Sequence, residues 1–368
     1  MEVRDVRVED SPFGRGRARL RAEVRYAGGT AEGEQYWFDV PEAYAGELST
    51  TGNPWVAALL PLAAHSGEPL RLPLPVDRPL IENAERLMRI WQTWYPEVTV
   101  APIEADVTAS PAEGKPGKGA AFFSGGVDSF FTVLRCRDVA PPGERAPIDE
   151  LITVWGFDVP LAQRDAFARL RERHQAVAAE LGKPLIDVAT NLRTTRWNTA
   201  QWSYLSHGAG FASVALALER RLHTVYLAGS GSYRDFHPWA SHPVTDPLFS
   251  TWRTSIVFDA AAYLRTDKIE RLADSTTALR ALRVCFETQT DENCGVCGKC
   301  QRTMLVLDLC GALARCTTFP RNTIDVRALA RMDCSHPFAL REVQDIRRLA
   351  VVKGRSDVVD ALDRSVAR

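Results

Sequence analysis

The chain predicts an α/β fold: a doubly wound parallel sheet, preceded by a small N-terminal α+β domain and followed by a cysteine-rich knuckle and helices. Three observations carry that reading. From residue 119 onward, short apolar runs alternate with amphipathic stretches, as strands joined by helices do in an open parallel sheet. One strand-to-helix turn, Gly119-Ala120-Ala121-Phe122-Phe123-Ser124-Gly125-Gly126-Val127-Asp128-Ser129, is rich in glycine where a helix begins. Four cysteines then crowd between residues 285 and 300.

The N-terminal region, residues 1–108, reads as a domain of its own. Arg17–Tyr26 alternates apolar and charged residues, Ala27-Gly28-Gly29-Thr30 is a turn signal, and Gln35–Val40 is a partner strand. A short apolar helix at Trp55–Ala64 is followed by an extended Pro-punctuated piece, Pro69–Pro75. Arg78–Tyr95 then places Leu80, Ala84, Leu87, Met88, Trp91 and Trp94 on one helical face. The tryptophans at 37, 55, 91 and 94 read as core, not as a ligand platform. Residues 109–118, small, polar and rich in Pro and Gly, form a linker.

Within residues 119–284 we expect strands at Ala120–Phe123, Glu150–Trp155, Pro184–Val188, Thr224–Ala228 and near Leu282–Val284. Helices are expected at Val127–Arg137, Leu161–Leu181, Thr199–Arg221 and Lys268–Ala273. Residues 285–368 hold the cysteine knuckle and helices at Gln301–Leu313, Ile324–Arg331, His336–Val352 and Asp357–Val366. In such sheets ligands bind beyond the carboxyl ends of the strands, so the loop after each strand is where function is sought.

Composition narrows the classes. The 368 residues are 45% hydrophobic and 25% charged, with a net charge of −1, which is ordinary globular composition. A near-neutral chain offers no electrostatic footprint for bulk nucleic-acid binding. No apolar run reaches the roughly 18 residues of a membrane span, and the charged start Met1-Glu2-Val3-Arg4-Asp5 is unlike a secretory signal. Eight cysteines are too sparse for a disulfide scaffold, which points to a cytoplasmic protein. Cys136, Cys310, Cys316 and Cys334 read as small buried hydrophobes.

The glycine turn suits a di-anion. Two adjacent glycines let consecutive N–H groups point into one concavity. The helix starting near Val127 adds its unpaired N–H groups and positive dipole end, and Ser124 and Ser129 add hydroxyls. Pyrophosphate is the natural occupant; a ligand-free turn is the plainer alternative. No Lys follows the glycines as it does in a Walker loop. Asp128 beside bound phosphate makes sense as a holder of Mg²⁺, which takes carboxylate together with phosphate oxygens.

Cys285, Cys294, Cys297 and Cys300 form a C-x8-C-x2-C-x2-C pattern. Four thiolates at this spacing can close a tetrahedron around Zn²⁺, leaving no open position, so the metal would be structural. An iron–sulfur cluster or four free thiols are the rivals. Gly229-Ser230-Gly231-Ser232-Tyr233 follows the fourth strand and so lies at the same sheet edge as the glycine turn. In the Pro-rich segment after it, His237 and His242, with Asp235 and Asp246, suggest a substrate contact, a structural role or a second metal. Arg302, beside the knuckle, is a candidate charge partner.

Ser124-Gly125-Gly126-Val127-Asp128-Ser129 resembles the SGG[ILV]DS loop of the PP-loop ATP pyrophosphatases, which cleave ATP between the α and β phosphates and pass AMP to a substrate. Over residues 119 to about 305 the chain is most similar to the 7-cyano-7-deazaguanine synthases of that superfamily. These carry the same four-cysteine spacing, a helix start like Thr266-Asp267-Lys268-Ile269-Glu270, and a loop echoed by Gly231-Ser232-Tyr233-Arg234-Asp235-Phe236. The resemblance implies ATP, Mg²⁺ and structural Zn²⁺ as cofactors. It assigns catalysis to Asp128, Ser129 and Lys268, and nucleotide binding to Ser124, Gly125, Gly126, Val127, Asp128 and Ser129. Gly156, Phe157 and Asp158, after the second strand, would hold adenine. Substrate contacts would come from Asn198, Gly231, Tyr233, Arg234, Asp235, His237 and His242.

The implied reaction adenylates a carboxylate or amide oxygen, releasing pyrophosphate. Ammonia or an amine then displaces AMP to give an amide or nitrile. No glutaminase domain is seen, so ammonia would come from solution or a partner. The chain departs from the family where Arg234-Asp235-Phe236-His237 replaces a Pro-Asp-Cys-Arg core, where only Trp197-Asn198-Thr199 remains of an Arg-Asn-Thr, and in its N-terminal domain. The substrate pocket is therefore expected to be changed, for a deazaguanine-like or other small-molecule or nucleobase-type substrate. The extra domain would form a lid, recognise the substrate or build a homodimer. Two other readings stand beside this one: sulfur transfer, which wants a cysteine pair where only Cys136 lies on the first helix, and a non-catalytic nucleotide-binding regulatory module.

Overall fold

The computed structural model describes all residues except 29–32, 110–116, 139–146, 331, 333, 336 and 368, so most of the expected linker lies outside the described residues. Ten strands form one sheet. They are β1 (Glu2–Asp10), β2 (Arg17–Arg25), β3 (Glu34–Pro41), β4 (Leu70–Asp77), β5 (Ile103–Thr108), β6 (Lys118–Phe122), β7 (Glu150–Trp155), β8 (Leu185–Thr190), β9 (Leu222–Ala228) and β10 (Ser255–Asp259). Their order is β10-β9-β6-β7-β8-β3-β2-β1-β4-β5. Most neighbouring pairs are parallel; β1–β2, β2–β3 and β3–β8 are antiparallel.

The half from β6 to β10 is doubly wound. The chain builds outward from β6 through β7 to β8, then crosses back to place β9 and β10 on the other side of β6. Loops leaving β6 and β9 therefore diverge and open a crevice at their carboxyl ends. Period-two alternation along the strand feeds two cores. Ala120 and Phe122 face a core shared with helices Asn53–Ser66 and His207–Ala217. Ala121 and Phe123 face another, shared with helix Val127–Asp138 and the C-terminal helices Gly298–Leu309, Pro337–Val352 and Ser356–Val366.

The N-terminal residues extend the same sheet. Phe38 and Asp39 of β3 pair with Thr190 and Ala189 of β8, and Asn191 exchanges hydrogen bonds with the Trp37 N–H (3.0 Å) and the Gln35 carbonyl (2.7 Å). Trp37, Trp55 and Trp91 are buried, as a core reading requires.

Several elements differ from expectation. The single helix expected over Thr199–Arg221 is broken: a 3₁₀ turn (Arg196–Ala200) leads to Gln201 at φ +46°, then to a π-helical turn (Trp202–Ser206), and the α-helix spans only His207–Ala217. Residues Leu282–Val284 form no strand; the backbone there runs against the glycine turn, with the Arg283 N–H donating to the Gly125 carbonyl at 2.8 Å. Strands β1, β5 and β10 are additions to the expected set. In β1 only Val3 is buried, so its charged sequence shows little apolar alternation.

Candidate functional site

The Ser124–Ser129 turn joins β6 to helix Val127–Asp138 at the point where the sheet reverses. Gly125 sits at φ +73°, and a Cβ there would stand 2.8 Å from His174 Nε2, so glycine is required both for conformation and for space. Beneath it His174 is fully buried, its Nδ1 3.0 Å from Thr153 Oγ1. Burial, with the nearby charges of Arg173 and Arg283, holds its imidazole down to about 3, so it is neutral. Ser129 Oγ donates to the Gly126 carbonyl at 3.1 Å and lies 3.4 Å from Ser124 Oγ. The N–H groups of the first helical turn have no intrahelical acceptor.

Asp128 and Lys268 meet at this turn. Lys268 Nζ donates to Asp128 Oδ1 at 3.1 Å and Arg265 Nη1 to Oδ2 at 2.7 Å. Burial pushes the Asp128 carboxyl up, but Lys268, Arg265 and Lys299 outweigh it and hold it at about 2. Lys268 is wholly buried and also donates to the Gly229 carbonyl, tying the loop after β9 to the loop after β6. Arg265, three residues earlier on helix Arg265–Leu272, reaches Glu342 Oε1 at 3.2 Å. Arg302 pairs with the same Glu342, so it is committed to the C-terminal helices and not to the turn.

The loop after β7 forms the neighbouring wall. Gly156, at φ +102°, has no room for a side chain: a Cβ would stand 2.0 Å from the Thr190 carbonyl. Phe157 is buried against Trp202 and Phe211, and its carbonyl accepts from Arg193 Nη1 at 2.7 Å. Asp158 is half exposed and lies 3.3 Å from Arg283 Nη1. Burial depresses the His207 imidazole to about 4, with Asp158 opposing and Lys299 and Arg193 reinforcing, so these groups share one electrostatic neighbourhood.

The expected substrate residues scatter. Tyr233 is exposed, and Arg234 pairs with Asp235 (2.6 Å) and Asp345 (2.7 Å). Gly231 packs beside the Phe236 ring, and the His237 ring stands beside Trp239 and Phe338. His242 is buried between Trp94 and Phe236, and its Nδ1 accepts the Val244 N–H at 3.1 Å. Asp246 is buried and accepts from Ser241 Oγ (2.6 Å) and the His242 N–H (3.1 Å). Among the described residues His237, His242, Asp235 and Asp246 do not form a metal-ligand group. Asn198 is exposed on the 3₁₀ turn next to Trp197, whose N–H donates to Tyr36 Oη at 3.1 Å, so it sits on the side of the N-terminal strands.

The four cysteines do converge. Their Sγ atoms all lie within 4.8 Å of one another, with Cys285–Cys297 at 4.0 Å and Cys294–Cys300 at 3.9 Å. A tetrahedral ion with bonds of about 2.3 Å puts its sulfurs about 3.8 Å apart, and a disulfide needs about 2.05 Å. The group can thus hold one metal ion such as zinc. The N–H groups of Val296 (3.4 Å) and Cys297 (3.2 Å) point at Cys294 Sγ, and Gly295 at φ +70° makes the tight turn possible. Cys297 caps helix Gly298–Leu309, where the dipole favours thiolate. Of the other cysteines Cys316 is buried and Cys310 and Cys334 are partly so; the Cys136 side chain lies outside the described residues.

Compared with known proteins, the chain matches no family model, no curated protein and no solved structure. No described helix is long and apolar enough to cross a membrane. Sequence reasoning missed Arg265, Arg283, Lys299, Arg193, His174 and His207. Two of these had a readable signal: Arg265 shares a helical face with Lys268 at i, i+3, and Lys299 sits inside the Cys297–Cys300 knuckle.

Proposed function

We propose that the chain is an AMP-forming enzyme of the PP-loop type: it binds Mg-ATP in the Ser124–Ser129 turn, adenylates an oxygen of a small-molecule or nucleobase-type substrate, and releases pyrophosphate. The observation that supports this best is the juxtaposition of a glycine turn and helix N-terminus with the buried Lys268 and Arg265 at the sheet's reversal point. The substrate oxygen attacks the α-phosphorus, the bond to the bridging oxygen breaks, and the departing pyrophosphate charge falls to backbone N–H groups and these cations. Asp128 fits Mg²⁺ through carboxylate lone pairs beyond those already given to Lys268 and Arg265. When bound, the ion neutralises phosphate charge. An amine or ammonia then displaces AMP.

The experiment is to incubate the protein with Mg-ATP and a metabolite pool and resolve AMP from ADP. The expected result is AMP with equimolar pyrophosphate, dependent on the pool. ADP as the product, or no consumption of ATP with any pool, overturns the reading.

A further inference from the structure

We infer that Arg283 and Lys299, the two cations flanking and embedded in the four-cysteine segment, bind the pyrophosphate part of the nucleotide; this rests on the function proposed above and adds to it two residues outside the glycine turn. Arg283 is only 4% exposed, yet its Nη2 has no hydrogen-bond partner among the described residues. Such a donor is costly to leave unpaired. Its backbone is fastened to the turn through the Gly125 carbonyl, its Nε to the Thr290 carbonyl at 3.1 Å, and its Nη1 to the half-exposed Asp158. The guanidinium is thus held against the wall of the turn with one fork arm unused.

Lys299 is the second observation. It extends from the first turn of helix Gly298–Leu309, and its positive charge is among those that hold the Asp128 carboxyl down. Among the described residues it makes no ion pair; its ammonium stands 5.7 Å from the centre of the Phe286 ring. Around the crevice, Lys268 and Arg265 share Asp128, Arg265 also reaches Glu342, and Arg283 has Asp158, while among the described residues Lys299 and Arg193 make no ion pair. That surplus of positive charge asks for a polyanion. A planar guanidinium also matches two phosphate oxygens at once. Asp158 holds the neighbouring arm, Nη1, so a pyrophosphate that takes both arms competes with this carboxylate for Arg283. The four-cysteine group fixes both ends of this arrangement, since Arg283 and Lys299 stand two residues before Cys285 and one before Cys300.

The test measures binding of inorganic pyrophosphate and, separately, AMP by titration calorimetry to wild type, R283M, R283K and K299M, with metal content and melting recorded for each. Pyrophosphate affinity is expected to fall about tenfold or more in R283M and in K299M, with AMP affinity unchanged and partial recovery in R283K. K299M keeps the test decisive if R283M fails to fold, because Lys299 makes no ion pair among the described residues. Unchanged pyrophosphate affinity in K299M, or equal loss of AMP and pyrophosphate, overturns the inference alone. Wild type that binds neither ligand overturns it together with the proposed function.

Discussion

Two loops lie at the same edge of the sheet and differ in what they do with their polar groups. The turn after β6 is short, glycine-rich and supported from below by a neutral His174, and the cations around it exceed the carboxylates. The segment after β9, from Gly231 to Pro247, contains more titratable side chains, and it satisfies most of them internally. Asp246 is consumed by Ser241 and His242, His242 by Val244, and Arg234 by Asp235 and Asp345. A segment dense in histidine and aspartate thus commits several of those side chains to packing, while a turn with few charges of its own gathers donors from elsewhere. What marks a site is the donors left over, not the polar residues present.

The sharpest way to break this comparison is at Asp128. Asp128→Ala leaves the wholly buried Lys268 without its carboxylate, so we expect loss of ATP turnover together with a destabilisation of about 3–5 kcal/mol, read by urea unfolding. Retained turnover in a folded variant would remove Asp128 from the chemistry. A smaller effect separates two glycines. Gly125→Ala must take a positive φ and press on His174, and should weaken Mg-ATP binding about tenfold or more. Gly231→Ala meets only the edge of the Phe236 ring at 3.2 Å and should bind within about threefold of wild type. Equal losses at both positions would erase the distinction between the loops.

The mildest effect tests the segment after β9 by pH. Burial lifts the Asp246 carboxyl from an ordinary 3.8 to about 7, against hydrogen bonds that lower it. The folded chain therefore keeps a proton that the unfolded chain releases, and this contribution is present below about pH 4 and lost as pH rises through 7. Asp246→Asn should melt progressively higher than wild type as pH goes from 5 to 8. A gap that is flat with pH would mean that Asp246 is charged in the fold.

Much of the secondary structure was legible because its signals are local. Strand β7 falls on Glu150–Trp155 as alternation predicts, and helices Arg78–Trp94 and Val127–Asp138 follow from their apolar stripes. The cysteine spacing, with Gly295 between ligands, foretold a group of sulfurs able to hold one ion. Elements were missed where the local signal was weak: β1 is charged because one face is solvated, and the expected helix over Thr199–Arg221 breaks at Gln201, which no glycine or proline announces. Non-local events were invisible for a different reason. The antiparallel union of β3 with β8, the arrival of Arg265 and Lys299 around Asp128, and the pairing of Arg283 with Asp158 depend on strand register and helix docking across long chain separations. The sequence by itself therefore determined the turn, the knuckle and the alternation of elements, because backbone freedom and side-chain period are properties of neighbours. Only the tertiary structure decided which charges face each other, because a side chain's partner, and whether it has one, is set by packing at a distance.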